Sequence, residues 1–179
     1  MNQSLKLTFS SMLTAISTVI MVLSGIIPVG TYAIPAIAGI FTAPAVIELG
    51  PGWAMSVYAA VSILSALLAG DKEAVLCYIA LFGCYPVVKA QIEKKCGKMS
   101  GIILKFAFFN AVAVAGFYIA IYVLSVPKSS FSLFGIYLPW IFLLIGNVVF
   151  AVYDYAMSLI IMAYCKKFHH RISKWLQLH

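Results

Sequence analysis

Residues Ile102–Val126 read IILKFAFFNAVAVAGFYIAIYVLSV, a stretch with no proline, no acid and a single charge, Lys105. A helix that crosses a membrane needs about 20 mostly apolar residues at roughly 1.5 Å rise each, and this run satisfies that requirement. A transmembrane β-barrel would need alternating segments of about ten residues, whereas this run is continuous. Working outward, five more such runs appear: about Leu7 to Ile27, Tyr32 to Leu49, Trp53 to Ala69, Ala74 to Ile92, and Ile136 to Cys165. Pro and Gly mark nearly every junction, among them Pro28-Val29-Gly30, Gly50-Pro51-Gly52 and Pro127, as expected where helices stop and reverse.

Composition agrees. Apolar residues make up 64% of the 179 and charged residues 9%, against roughly 45–50% and about 25% in soluble domains. So few charges cannot solvate a globule, which excludes a soluble enzyme, a disordered chain and a nucleic-acid module. The expected fold is an all-α integral membrane protein, a single six-helix transmembrane domain over residues 1–179, with a basic tail from 166 to 179. The apolar run at the start is long for a cleaved signal core and is read as the first span.

The net charge of +7 acquires its meaning from where the charges fall. With the N-terminus inside, Lys6, Lys89, Lys94, Lys95, Lys98, Lys105, Lys166, Lys167, Arg171 and Lys174 lie on the cytoplasmic side, and only Lys72 and Lys128 outside. The positive-inside rule then predicts both termini in the cytoplasm of a cell-membrane protein, its basic face against anionic lipid headgroups.

Motifs for chemistry are missing. The chain has no Walker A loop, no G-x-G-x-x-G, no H-E-x-x-H and no G-x-S-x-G. All three histidines, His169, His170 and His179, sit in the tail. Cys77 and Cys84 are separated by about 10.5 Å of helical rise, too far for a disulfide. Neither an enzyme activity nor a metal or other cofactor is expected, and function must lie in the bundle or on its faces.

Each polar group inside a span is therefore informative, because burying one without a partner is costly. Asp154 falls well inside the sixth span, and its expected partners are Lys105 in the fifth and Lys89 near the end of the fourth. Glu48, at the inner end of the second span, is placed in the same charge layer. Structural pairing, proton or ion coupling, and a docking role all fit Asp154. Asn147 lies seven residues before it on the same helix face and suits either a ligand or interhelical contact. In the outer half, Lys72 can counter an anionic substrate. Tyr32, Tyr78, Tyr137 and Trp140 suit either headgroup anchoring or a pocket for a flat molecule. Asp71 reads as a helix N-cap. In the first span Ser11 and Ala15 place small residues four apart, a strip that lets another helix approach closely.

Six minimal-loop spans, both ends inside and a small-xxx-small strip opening the first helix together resemble the substrate-binding S-components of energy-coupling factor (ECF) vitamin transporters. In that family the strip is typically Ala-xxx-Ala; Ser11 and Ala15 occupy the matching positions here. The resemblance implies an outward-open pocket for a vitamin or similar micronutrient. It also implies docking through Ser11 and Ala15 to a transmembrane T-component, and two cytoplasmic ATPase subunits that supply the hydrolysis this chain lacks. Gly83-Cys84-Tyr85-Pro86 and Tyr153-Asp154-Tyr155 look like motif positions of an uncharacterised branch of small bacterial membrane proteins. A structural or assembly protein without a small-molecule pocket, and a small secondary transporter using Asp154, are the alternatives.

Overall fold

The computed structural model describes residues 3–27, 30–122, 132–133, 136–137 and 139–169. They form α1 (Gln3–Leu23), α2 (Ala33–Ile40), α3 (Thr42–Leu49), α4 (Pro51–Leu68), α5 (Lys72–Cys77), α6 (Tyr85–Lys95), α7 (Lys98–Tyr122) and α8 (Pro139–Tyr164). π-helical turns span Tyr78–Phe82 and Cys165–His169. Ser132–Leu133 pairs antiparallel with Ile136–Tyr137 ahead of α8. Five apolar stretches are long enough to cross a membrane, Gln3–Leu23, Pro51–Leu68, Lys72–Lys95, Met99–Ile119 and Leu143–Lys167, and Ala33–Leu49 is shorter. The protein is a helical membrane protein whose described residues include five helices long and apolar enough to cross a bilayer and one shorter apolar segment, Ala33–Leu49.

The shorter segment is the second expected span, and it and the fourth are both broken midway. Pro44 has no N–H to offer the Ile40 carbonyl four residues back, so the helix that ends at Ile40 restarts at Thr42. Pro86 likewise leaves the Phe82 carbonyl without a helical donor. There the helix widens into the π turn, passes Gly83 and Cys84, and restarts at Tyr85.

The two breaks pack against each other. A Cβ added to Gly39 would lie 2.4 Å from the Phe82 carbonyl oxygen, so only glycine permits this approach. A Cβ on Gly83 would come within 2.7 Å of the Tyr58 and Tyr78 rings. Around this crossing lies the main core, from Phe9, Leu13 and Met21 of α1 through Ala38 and Ala45 to Val57 and Val61 of α4 and Tyr78. Its alanines bring the backbones close, the packing a membrane bundle uses in place of a hydrophobic driving force.

A second core joins α6, α7 and α8 through aromatic rings. Phe109 stacks on Phe150 at 4.6 Å, and Phe106 and Tyr85 meet Phe150 edge-on at 5.5 and 5.1 Å. From Phe109 to the far end of α7, and from the start of α8 to Phe150, every other described side chain is exposed or half-buried. The hairpin of α7 and α8 is thus seated on the bundle at its lysine-rich end. Val19, Ile63, Leu67, Val148 and Val152 are exposed, as a lipid-facing surface requires.

Gly39→Ala should destabilise the protein by about 1–3 kcal/mol, the usual cost of overpacking. Thermal unfolding in detergent measures it, and an unchanged Tm would show that the crossing yields.

Candidate functional site

The polar residues of the spans gather at the lysine-rich end of the second core. Asp154 enters from α8, Lys89 and Glu93 from α6 at helical i, i+4 spacing, and Lys105 from α7. Lys89 is 1% exposed. Its Nζ donates to Asp154 Oδ1, to the Asp154 carbonyl at 3.3 Å and to Ser158 Oγ at 2.8 Å, and it lies 3.2 Å from Glu93 Oε1. Lys105 Nζ donates to Glu93 Oε1 at 2.5 Å and to Asp154 Oδ2 at 3.4 Å. Tyr85 OH donates to Asp154 Oδ1 at 2.5 Å.

Each carboxylate therefore bridges both lysines, and two cations against two anions leave the square neutral. Neutrality matters because an unpaired charge is what a low-dielectric interior tolerates least. Three helices are joined by one network, whose exit toward solvent is the half-exposed Glu93 side chain.

The structure places both expected lysines on the Asp154 carboxylate. Glu48 joins α3 to α8 by accepting from Tyr164 OH at 3.1 Å. Glu93 and Ser158 were not singled out in the sequence, and Tyr85 stood out only as part of Gly83-Cys84-Tyr85-Pro86. Glu93 reads there as the first residue of a charged loop, although its spacing from Lys89 is the signal that finds it.

The expected substrate residues go to different places. Lys72 Nζ donates to the carbonyls of Ala66 at 2.9 Å and Ala69 at 3.3 Å, closing the C-terminus of α4 as a cation there should. Asp71 Oδ1 caps α5 by accepting from the N–H groups of Glu73 and Ala74, both at 3.0 Å, while its Oδ2 accepts from Thr31 Oγ1 at 2.9 Å. Tyr32 is exposed at the surface just ahead of α2. Tyr78 is fully buried beside Tyr58, not lining an outer face. Asn147 exchanges two hydrogen bonds of 2.9 Å with Asn110, and each amide also donates to its own helix at 2.8 Å. The pair fastens α7 to α8. The side chains of Tyr137 and Trp140, and the tail beyond His169, lie outside the described residues.

Ser11 and Ala15 are exposed on α1, and the structure sets them opposite small residues of α4. An open groove of about 360 Å³ lies between the two helices, lined by Ser10, Ser11, Thr14 and Ala15 with Leu7 on α1, and by Ser56 and Ala60 with the larger Trp53, Val57 and Leu64 on α4. Among the described residues no group of three His, Cys, Asp or Glu side chains is placed to hold a metal ion. No protein-family model, curated protein or solved structure matches the chain.

Asp154→Leu should cost about 3–5 kcal/mol, since it strands Lys89 without its main counter-charge. Adding Lys89→Met should recover part of that loss. Thermal unfolding of the three proteins decides, and a double variant no better than Asp154→Leu would show that the charges act separately.

Proposed function

We propose that the chain is the substrate-binding subunit of an ECF-type uptake system for a vitamin or similar micronutrient. In this reading it captures its ligand from outside. It docks in the bilayer to a T-component, and two cytoplasmic ATPases supply the energy.

The observation that carries the reading is the groove between α1 and α4. A partner helix can approach a backbone closely only where side chains are small; on α1 Ser10, Ser11, Thr14 and Ala15 form such a wall, and on α4 Ser56 and Ala60 leave small gaps between Trp53, Val57 and Leu64. With the lysine-rich end in the cytoplasm, the groove lies in the cytoplasmic half of the membrane, where coupling to ATPases must reach. The looser packing of α7 and α8 at their opposite ends supports ligand entry from outside.

One observation favours a second reading, a membrane assembly protein that docks a partner without a small-molecule pocket. Lys72, Tyr78 and Asn147 are each engaged within the bundle. The two readings share the groove and part on whether a ligand co-purifies.

Ser11→Trp and Ala60→Trp each fill the groove from one wall. Either should block co-purification of the T-component and its ATPases while leaving the Tm of the isolated subunit nearly unchanged. Assembly that persists in both variants would refute docking at this groove. Native mass spectrometry of the unaltered subunit should show a bound small molecule, and its consistent absence would favour the assembly reading.

A further inference from the structure

We infer that Glu93 is a built-in stand-in for the phosphate of an anionic phospholipid, and that Lys105 and Lys89 form a headgroup site at the lysine-rich end of α6, α7 and α8. The two lysine side chains are 8% and 2% exposed, whereas the Glu93 side chain over them is 50% exposed. Both lysines meet it through a single atom, Oε1, Lys105 at 2.5 Å and Lys89 at 3.2 Å. Asp154 is the fixed carboxylate of the square. It accepts from Lys89 and Tyr85 on Oδ1 and from Lys105 on Oδ2. Glu93 is thus the member that can turn outward and leave the rest of the network in place.

Charge says what must replace it. With Glu93 turned outward, two lysines face Asp154 alone, and one positive charge is left in excess in a low-dielectric surrounding. A phosphodiester carries a single negative charge, and its oxygens take charge-assisted bonds from an ammonium as a carboxylate does. The released carboxylate recovers its hydration, so the exchange leaves the buried charges balanced.

Position says where the phosphate comes from. The spans Lys72–Lys95 and Met99–Ile119 are separated by residues 96 to 98, so Glu93, in the last turn of the first, stands at headgroup depth. Lys94 and Lys95 are exposed beside it, a positive surface that attracts anionic headgroups. Further into the span Ile102, Ile103 and Leu104 of α7 are exposed, an apolar flank for the acyl chains of the same molecule. Basic pockets between membrane helices hold anionic headgroups in this way, and a free phosphate would gain nothing from the flank. A zwitterionic lipid brings its own ammonium and does not supply the missing charge. The inference is independent of the uptake reading, because it concerns the square and not the groove.

The test is native mass spectrometry and thermal unfolding of the purified protein in detergent with added dioleoylphosphatidylglycerol, dioleoylphosphatidylcholine or inorganic phosphate. Phosphatidylglycerol should be retained at one tight site and raise the Tm saturably, and the other two should do neither. Glu93→Gln, which keeps shape and removes the competing charge, should bind phosphatidylglycerol severalfold more tightly. Lys105→Met should lose the tight site, while Lys94→Met, the same loss of charge at the surface, should keep it. Should Lys105→Met fail to fold, Glu93→Gln decides alone, because loss of a merely structural partner gives no gain in lipid binding. Equal retention of the two lipids, an equal effect of inorganic phosphate, a Glu93→Gln protein that binds no more tightly, or equal losses in Lys105→Met and Lys94→Met would overturn the assignment.

Discussion

A carboxylate inside a lipid-facing bundle persists only where opposite charge meets it, and the attachment of α7 and α8 depends on how Asp154 meets that condition. Lys89 and Lys105 reach it from two other helices, and Tyr85 donates to the same oxygen as Lys89. Glu93 then balances the second lysine. The geometry of the square fixes the register of α6, α7 and α8 at one end, because a slip along any of them would leave a buried charge alone. Behind it the rings of Phe106, Phe109 and Phe150 fill the space the charges define.

This constraint is one-sided. At the lysine-rich end α8 is bound to α6 by charges and to α3 by Tyr164 and Glu48. Further along, the described polar link of α7 and α8 is the Asn110–Asn147 pair, which joins them to each other. The body formed by α1 to α6 is held differently, by small residues in close approach: Gly39 on Phe82, and Gly25 with a Cβ position 3.1 Å from the Gly70 nitrogen. The body is thus closely packed, and the hairpin is secured to it at one end.

Much of the fold was legible because lipid imposes one simple demand, a long uncharged run. The chain from Ile102 to Val126 meets it without ambiguity, and Asp154, Lys89 and Lys105 are conspicuous for violating it. Less legible were the breaks. Hydropathy reads Tyr32 to Leu49 as one span, since Pro44 is apolar, and only the missing N–H reveals that Ile40 and Thr42 belong to different helices. Glu93 was hidden because a residue beside Lys94 and Lys95 looks like loop, while the helix extends through all three. The roles of Lys72 and Asn147 were beyond reach for another reason. A side chain that suits a ligand also suits a carbonyl or an amide on the next turn, and composition does not say which lies nearer.

In the proposed reading, partner recognition lies in the groove between α1 and α4, and lipid covers the exposed flank of α8. Photo-crosslinking from single sites in native membranes separates these surfaces most directly. A photoreactive residue at position 15 should trap a multi-spanning T-component that carries its ATPases, while one at position 148, exposed on α8, should trap lipid alone. Equal protein crosslinking from both positions, or lipid alone from position 15, would contradict the account.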